Sequence, residues 1–210
     1  MAKLLYIESS PRKERSASIA ISKYFLDEYL KAHPADGVAV VDLWNKDLPS
    51  FDGEVINAKY AIMHGKETTP EQKRAWKPVE NLITEFKSAD KYVISLPMWN
   101  FTIPYRLKHY IDALVQPGYT FTFSPESGYQ GLVTGKKMLL IFARGGAYGP
   151  ETGAQQLDFQ KSYMETILGF IGFKDIESIV IEPTMGGNKE AKEAMMKQCQ
   201  EKAAAFAHSF

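Results

Sequence analysis

Short apolar runs alternate with longer amphipathic stretches along this chain. Five runs, at residues 3–7, 38–43, 92–96, 137–143 and 176–182, are rich in aliphatic and β-branched side chains and read as strands. The first, third and fourth are almost continuously apolar, as parallel strands covered on both faces are. Residues 18–31, 70–88, 104–115, 154–171 and 189–207 carry helical spacing. In the last of these, Ala191, Ala194, Met195, Cys199, Ala203 and Phe206 recur every three or four positions. The alternation predicts one α/β domain over residues 1–210, with a five-stranded parallel sheet, right-handed crossovers and helices on both faces.

Two segments exceed that plan. Residues 44–69 make an excursion after the second strand, with a helix expected near 54–64. Residues 117–135 are rich in glycine and aromatics, and the alternation over 119–123 predicts a hairpin strand. An insertion of this length in a compact domain is often functional.

Charge and cysteine content narrow the function. The 25 basic and 25 acidic residues cancel, which argues against nucleic acid or an anionic membrane as partner. No run approaches the roughly 18 apolar residues of a membrane span. The N-terminal apolar run leads into Ser9, Ser10, Pro11 and Arg12 and not into a cleavage site. A single cysteine, Cys199, fits a reducing compartment, so a cytoplasmic location is expected.

Open parallel sheets bind ligands at the carboxyl ends of their strands, and three such ends carry suggestive residues. After the first strand, Ser10, Ser16 and Ser18 precede or open a helix, whose exposed N–H groups and dipole suit a phosphate monoester. Arg12, Lys13 and Arg15 add positive charge there. Helix capping beside a solvated basic face explains the same residues equally well. The glycine spacing of an NTP-binding loop or a dinucleotide fingerprint is absent. After the third strand, Met98, Trp99, Asn100 and Phe101 offer soft, flat and amide groups suited to a planar heteroaromatic ligand. After the fourth, Ala143 and Arg144 precede Gly145 and Gly146, whose backbone can approach a ligand closely. His33, His64, His109 and His208 lack metal-ligand spacing and read as structural or surface groups. Cys199, Trp44 and Trp76 read as packing residues, with Trp44 placed to border the excursion.

These loops, taken together, resemble the FMN-dependent NADH:quinone oxidoreductases, also called azoreductases. The matching residues are Glu8, Ser9 and Ser10 with Ser16, Ala17 and Ser18; Pro97 through to Phe101; Gly131, Leu132, Val133, Thr134, Gly135, Lys136 and Lys137; Arg144, Gly145 and Gly146; and Leu168, Gly169, Phe170, Ile171 and Gly172. The resemblance implies a flavodoxin-like three-layer sandwich with strand order 2-1-3-4-5. It implies non-covalent FMN, with Ser10, Ser16, Ala17 and Ser18 on the phosphate and Met98, Trp99, Asn100, Phe101, Ala143, Arg144, Gly145 and Gly146 around the ring. NADH or NADPH would donate two electrons by ping-pong hydride transfer to quinones and aromatic azo compounds. No catalytic acid or base is implied; Asn100, Gly145 and Gly146 would tune the flavin. A homodimer with sites at the interface is also implied, with Trp99, Asn100 and Phe123 as substrate contacts and Phe123 near the partner's flavin. Ala143 departs from the family pattern, where serine is frequent, and removes one hydroxyl contact. The alternative is a flavodoxin-type electron carrier with a protein partner. Such carriers are usually strongly acidic, and the neutral charge balance argues against it.

Overall fold

In the computed structural model, which describes residues 1–210, the five expected strands pair in parallel. They are β1 (Lys3–Glu8), β2 (Gly37–Asp42), β3 (Lys91–Pro97), β6 (Lys137–Ala143) and β7 (Asp175–Ile181). Between β3 and β6 the insertion folds into an antiparallel hairpin of β4 (Phe121–Ser124) and β5 (Gly128–Gly131). The sheet order β2-β1-β3-β6-β7 is the expected one once the hairpin strands are set aside.

The unbroken apolar runs have a direct cause. Along β1, Leu5 and Ile7 enter one core while Leu4 and Tyr6 enter another, so neither face meets water. Helices α1 (Ala17–Ala32) and α6 (Lys189–Ser209) cover one face through Phe25, Tyr29, Cys199 and Ala203. Helices α3 (Pro70–Lys87), α4 (Tyr105–Leu114) and α5 (Phe159–Ile171) cover the other, and α2 (Gly53–Met63) adds Val55 and Ala58 to that core. Each fully buried Leu, Ile or Phe here contributes about 1.5–3 kcal/mol of transfer free energy. No helix is long and apolar enough to cross a membrane.

Two of the boundaries that move have a visible cause. The helix predicted from residue 154 starts at Phe159, because Gly153 takes a left-handed φ of 67° and Asp158 then caps the helix by accepting from Lys161 N at 3.0 Å. The last strand stops at Ile181, where Glu182 leaves the sheet to bond with other groups.

The hairpin is seated by backbone contact. A Cβ on Gly131 would lie 2.3 Å from Gly172 N, so only glycine permits this approach. Val133 N donates to Ile171 O at 2.8 Å, and the Phe121 and Phe170 rings pack 4.7 Å apart. Two of the sequence matches, around Gly131 and Gly172, are thus the two halves of one docking joint. Lys136 belongs to the same segment; its ammonium donates to the carbonyls of Lys87 and Ala89 at the end of α3, and burial lowers its pKa.

Candidate functional site

The register brings the loop-bearing strand ends level. Glu8 pairs with Ser95, Pro97 with Ala143, and Ala143 with Ile181, so the loops after β1, β3 and β6 leave the same edge.

The first loop gathers groups of the kind that bind anions. Ser10, Ser16 and Ser18 are buried, and the Ser16 and Ser18 hydroxyls lie 3.1 Å apart. Ser16 is the N-cap of α1, yet its side chain makes no capping bond. The first-turn N–H groups of α1 therefore have no side-chain acceptor, and the positive end of the helix dipole is open. Lys13 is already paired within the chain. Its ammonium lies 2.6 Å from both Glu8 and Asp42, at the ends of β1 and β2. Burial opposes both charges, but the hydrogen-bonded pairing prevails: Lys13 is raised and Asp42 lowered. Lys13 thereby neutralises two carboxylates at the edge where the first loop leaves the sheet. Arg12 and Arg15 remain exposed.

The second loop is a tight reversal. Trp99 and Thr102 exchange backbone hydrogen bonds of 3.1 and 2.9 Å around Asn100 and Phe101, both at positive φ (47° and 67°). Two central residues of positive φ make this a type I′ turn, whose preferred pair is Asn-Gly. Asparagine suits its place; phenylalanine at φ 67° is strained by about 1–2 kcal/mol. Strain of this kind persists where a side chain is needed in position. Phe101 is 42% exposed and meets Tyr148 edge-on at 6.3 Å, so little packing within the chain rewards it. Phe101→Gly is expected to hold or raise the melting temperature while weakening ligand retention. Calorimetry checks this: a fall beyond about 4 °C, roughly 1 kcal/mol for a chain of this size, would contradict the strain assignment.

The third loop supplies donors. Neither Gly145 nor Gly146 uses its N–H within the chain, and both carbonyls of the Arg144-Gly145 pair are engaged by residues 184 and 185. Arg144 is in the expected segment, but its guanidinium turns inward to Asp158, Gln160 and Glu182, so its side chain faces the protein and its backbone the sheet edge. Ala143 is buried, and its carbonyl accepts from Met98 N at 2.8 Å, joining the second and third loops.

Ser9 joins the first loop to β3. Its N–H and hydroxyl both donate to Ser95 O, at 3.1 and 2.7 Å. The Ser9 carbonyl accepts from Trp44 Nε1 at 2.8 Å, and the Trp44 ring lies 5.9 Å from Trp99 and 5.4 Å from Tyr105. Trp44 is therefore more than a packing group: it ties the anion loop to the aromatic loop. Its signal in the sequence was its place directly after the second apolar run.

Beyond the second loop opens a cleft of about 1270 Å³ between α2, α4 and α5. Trp99, Asn100, Thr102, Tyr105, Phe51, Phe159 and Tyr163 line it, and burial holds the Tyr163 phenol protonated to about pH 12. The cleft shares Trp99 and Asn100 with the aromatic loop but none of the serines or glycines, so it adjoins the loop cluster on one side. His109, also on its wall, bonds to Pro49 O at 2.8 Å and is positional. Phe123 is not brought to the loops. It is 58% exposed on the hairpin, beside Tyr60, Met63 and Tyr129, in a second cavity of about 880 Å³.

Known proteins carry the same architecture. A family model described as a flavodoxin-like fold matches residues 2–206. The chain is 53% identical over 185 residues to an FMN-dependent NADH:quinone oxidoreductase of Desulfotalea psychrophila, covering 88% of this chain and 87% of that protein. It is 48% identical over 210 residues to a protein of that name from Nitratidesulfovibrio vulgaris, covering all of both chains. A solved FMN-dependent NADH-azoreductase from Bacillus anthracis, in complex with FMN, superposes with a TM-score of 0.86 at 29% identity, covering 99% of this chain and 100% of that one.

Proposed function

The chain belongs to the flavodoxin-like fold family, and from that footing we propose that it is an FMN-dependent oxidoreductase carrying two electrons from NADH to quinones and aromatic azo compounds. One observation carries the reading: an uncapped helix start with buried hydroxyls and two unused glycine N–H groups stand at the same sheet edge, on either side of a strained aromatic turn. That edge suits a ligand with a phosphate at one end and a flat polar ring at the other.

Ser10, Ser16 and Ser18, with the Ala17 end of α1, would hold the phosphate. Met98, Trp99 and Phe101 would give the ring its apolar contacts, and Ala143 and Arg144 would lend backbone. The Asn100 amide and the N–H groups of Gly145 and Gly146 would meet its polar edge, where reduction places negative charge. When bound, FMN supplies reversible two-electron transfer, which the side chains themselves do not provide. The protein's part is to bind, orient and exclude water. Trp99, at the junction of the loops and the cleft, would stack the nicotinamide and then the acceptor in turn.

Shared stacking space has a kinetic signature. Initial rates with NADH and a quinone varied together are expected to give parallel double-reciprocal lines. Intersecting lines would rule out one shared space. An anaerobic titration of the purified protein with NADH and then NADPH tests the donor, with bleaching of the yellow colour expected first for NADH; a protein that takes up no FMN would overturn the whole reading.

The proposal extends to a cytoplasmic homodimer built from this one domain. The exposed Phe123, Tyr129, Tyr60 and Met63 favour a subunit interface along the hairpin, with Phe123 directed toward the partner's flavin. A cleft of about 1270 Å³ suits a small-molecule acceptor better than a protein partner would require.

A further inference from the structure

We propose that Arg144 is a positioning residue that aims the N–H groups of Gly145 and Gly146 at the ring without touching it; this rests on the assignment of those N–H groups to the flavin. The guanidinium is almost wholly enclosed, with 2% of the side chain exposed. Its Nε donates to Gln160 Oε1 at 3.0 Å, Nη1 to Glu182 Oε2 at 3.2 Å, and Nη2 lies 2.8 Å from Asp158 Oδ2. These acceptors sit at the N-cap of α5, in its first turn, and just past the end of β7. One fork therefore joins three parts of the chain, a task that suits a planar guanidinium and not the point charge of lysine.

The loop is fixed at both ends by this cluster. Glu182 Oε2, which accepts from Arg144, also accepts from Tyr148 N at 3.1 Å. Between them, Arg144 O accepts from Thr184 N at 2.8 Å and Gly145 O from Met185 N at 3.1 Å. A trans peptide points its N–H opposite to its C=O. With both carbonyls turned to residues 184 and 185, the N–H groups of Gly145 and Gly146 both point away from that segment. Arg144 holds the anchor from which this orientation follows.

The test uses apoprotein titrated with FMN and with riboflavin, followed by flavin fluorescence. In Arg144→Lys both affinities are expected to fall by about tenfold, the upper end of what one hydrogen bond to a neutral ring edge contributes. An equal loss for riboflavin marks a weakened ring grip, because riboflavin has no phosphate. The reduced ring should lose more than the oxidised one, and each further factor of ten lowers the two-electron midpoint potential by about 30 mV. Arg144→Met alone leaves two enclosed carboxylates unpaired and can fail to fold. The triple variant Arg144→Met, Asp158→Asn, Glu182→Gln removes that charge imbalance and is expected to fold yet show the same loss. Wild-type riboflavin affinity and potential in the triple variant would overturn the proposal, leaving Arg144 as charge balance alone. Failure of the wild-type apoprotein to bind FMN would instead overturn the site reading on which the proposal rests.

Discussion

Ser16→Asp is expected to abolish FMN retention while leaving the fold at least as stable. Aspartate is as good an N-cap as serine, and a negative group at a helix start gains about 0.3–1 kcal/mol from the dipole. In the native chain the Ser16 side chain makes no capping bond, so the first-turn N–H groups remain open. A carboxylate there would accept those N–H groups itself. It would also repel a phosphate held at the same helix start, by about 4 kcal/mol for unit charges about 4 Å apart at an effective dielectric near 20. Together these lower FMN affinity by on the order of 10²–10³-fold. Riboflavin, with no phosphate, should bind the variant as it binds the wild type. Parallel titrations with the two ligands, beside a thermal melt, check both halves. An FMN affinity within threefold of wild type would mean that the phosphate sits elsewhere.

Gly131→Ala carries the largest expected loss of stability. Its Cβ would fall 2.3 Å from Gly172 N and 2.4 Å from Ile171 C. Both are backbone atoms, so no rotamer change relieves the contact. Overpacking of this kind costs about 3 kcal/mol at the upper end of its usual range, or about 6–12 °C in melting temperature for a chain of this length. The alternative to strain is separation: the hairpin lifts from α5 and the Val133 N to Ile171 O bond breaks. Amide exchange distinguishes the two, since separation exposes the Val133 N–H. A melting temperature within about a degree of wild type, with Val133 still protected, would show that the joint has slack.

The sheet was legible because burial on both faces leaves β1, β3 and β6 almost without polar interruption, with Ser95 the exception inside β3, and such a run is visible in one dimension. The candidate site was legible to the extent that its loops leave strand ends: the serines between β1 and α1, the Met98 to Phe101 turn, the glycine pair. What stayed hidden depends on partners distant in the chain. Arg144 reads as part of a linear Arg-Gly-Gly segment, yet residues 158, 160 and 182 decide which way it turns. Lys13 reads as one of three basic residues, and only the pairing of β1 with β2 brings Glu8 and Asp42 together beneath it. The reversal at Asn100 and Phe101 gave no turn signal, because phenylalanine is a poor residue for positive φ. The late start of α5 was masked by good helix formers at 154–157, against which Gly153 and Asp158 prevail.

The bonds through Ser9 and Trp44 have a consequence for how a two-ended ligand is held. Ser9 is bonded to β3, Trp44 is bonded to Ser9, and its ring leans on Trp99. The first loop and the aromatic loop are therefore tied together like a pair of jaws, at a separation that the chain's own bonds set. A ligand gripped at one end presents its other end to the second jaw at an effective concentration that free solution cannot match. Riboflavin and inorganic phosphate added together should thus fall far short of FMN, although they bring the same groups. Loosening the hinge by Trp44→Phe, which keeps a ring but removes the Nε1 donor, should narrow that gap by lowering FMN affinity while hardly changing either fragment. The joining of the two grips, more than the strength of either, would then set how firmly the protein keeps its cofactor.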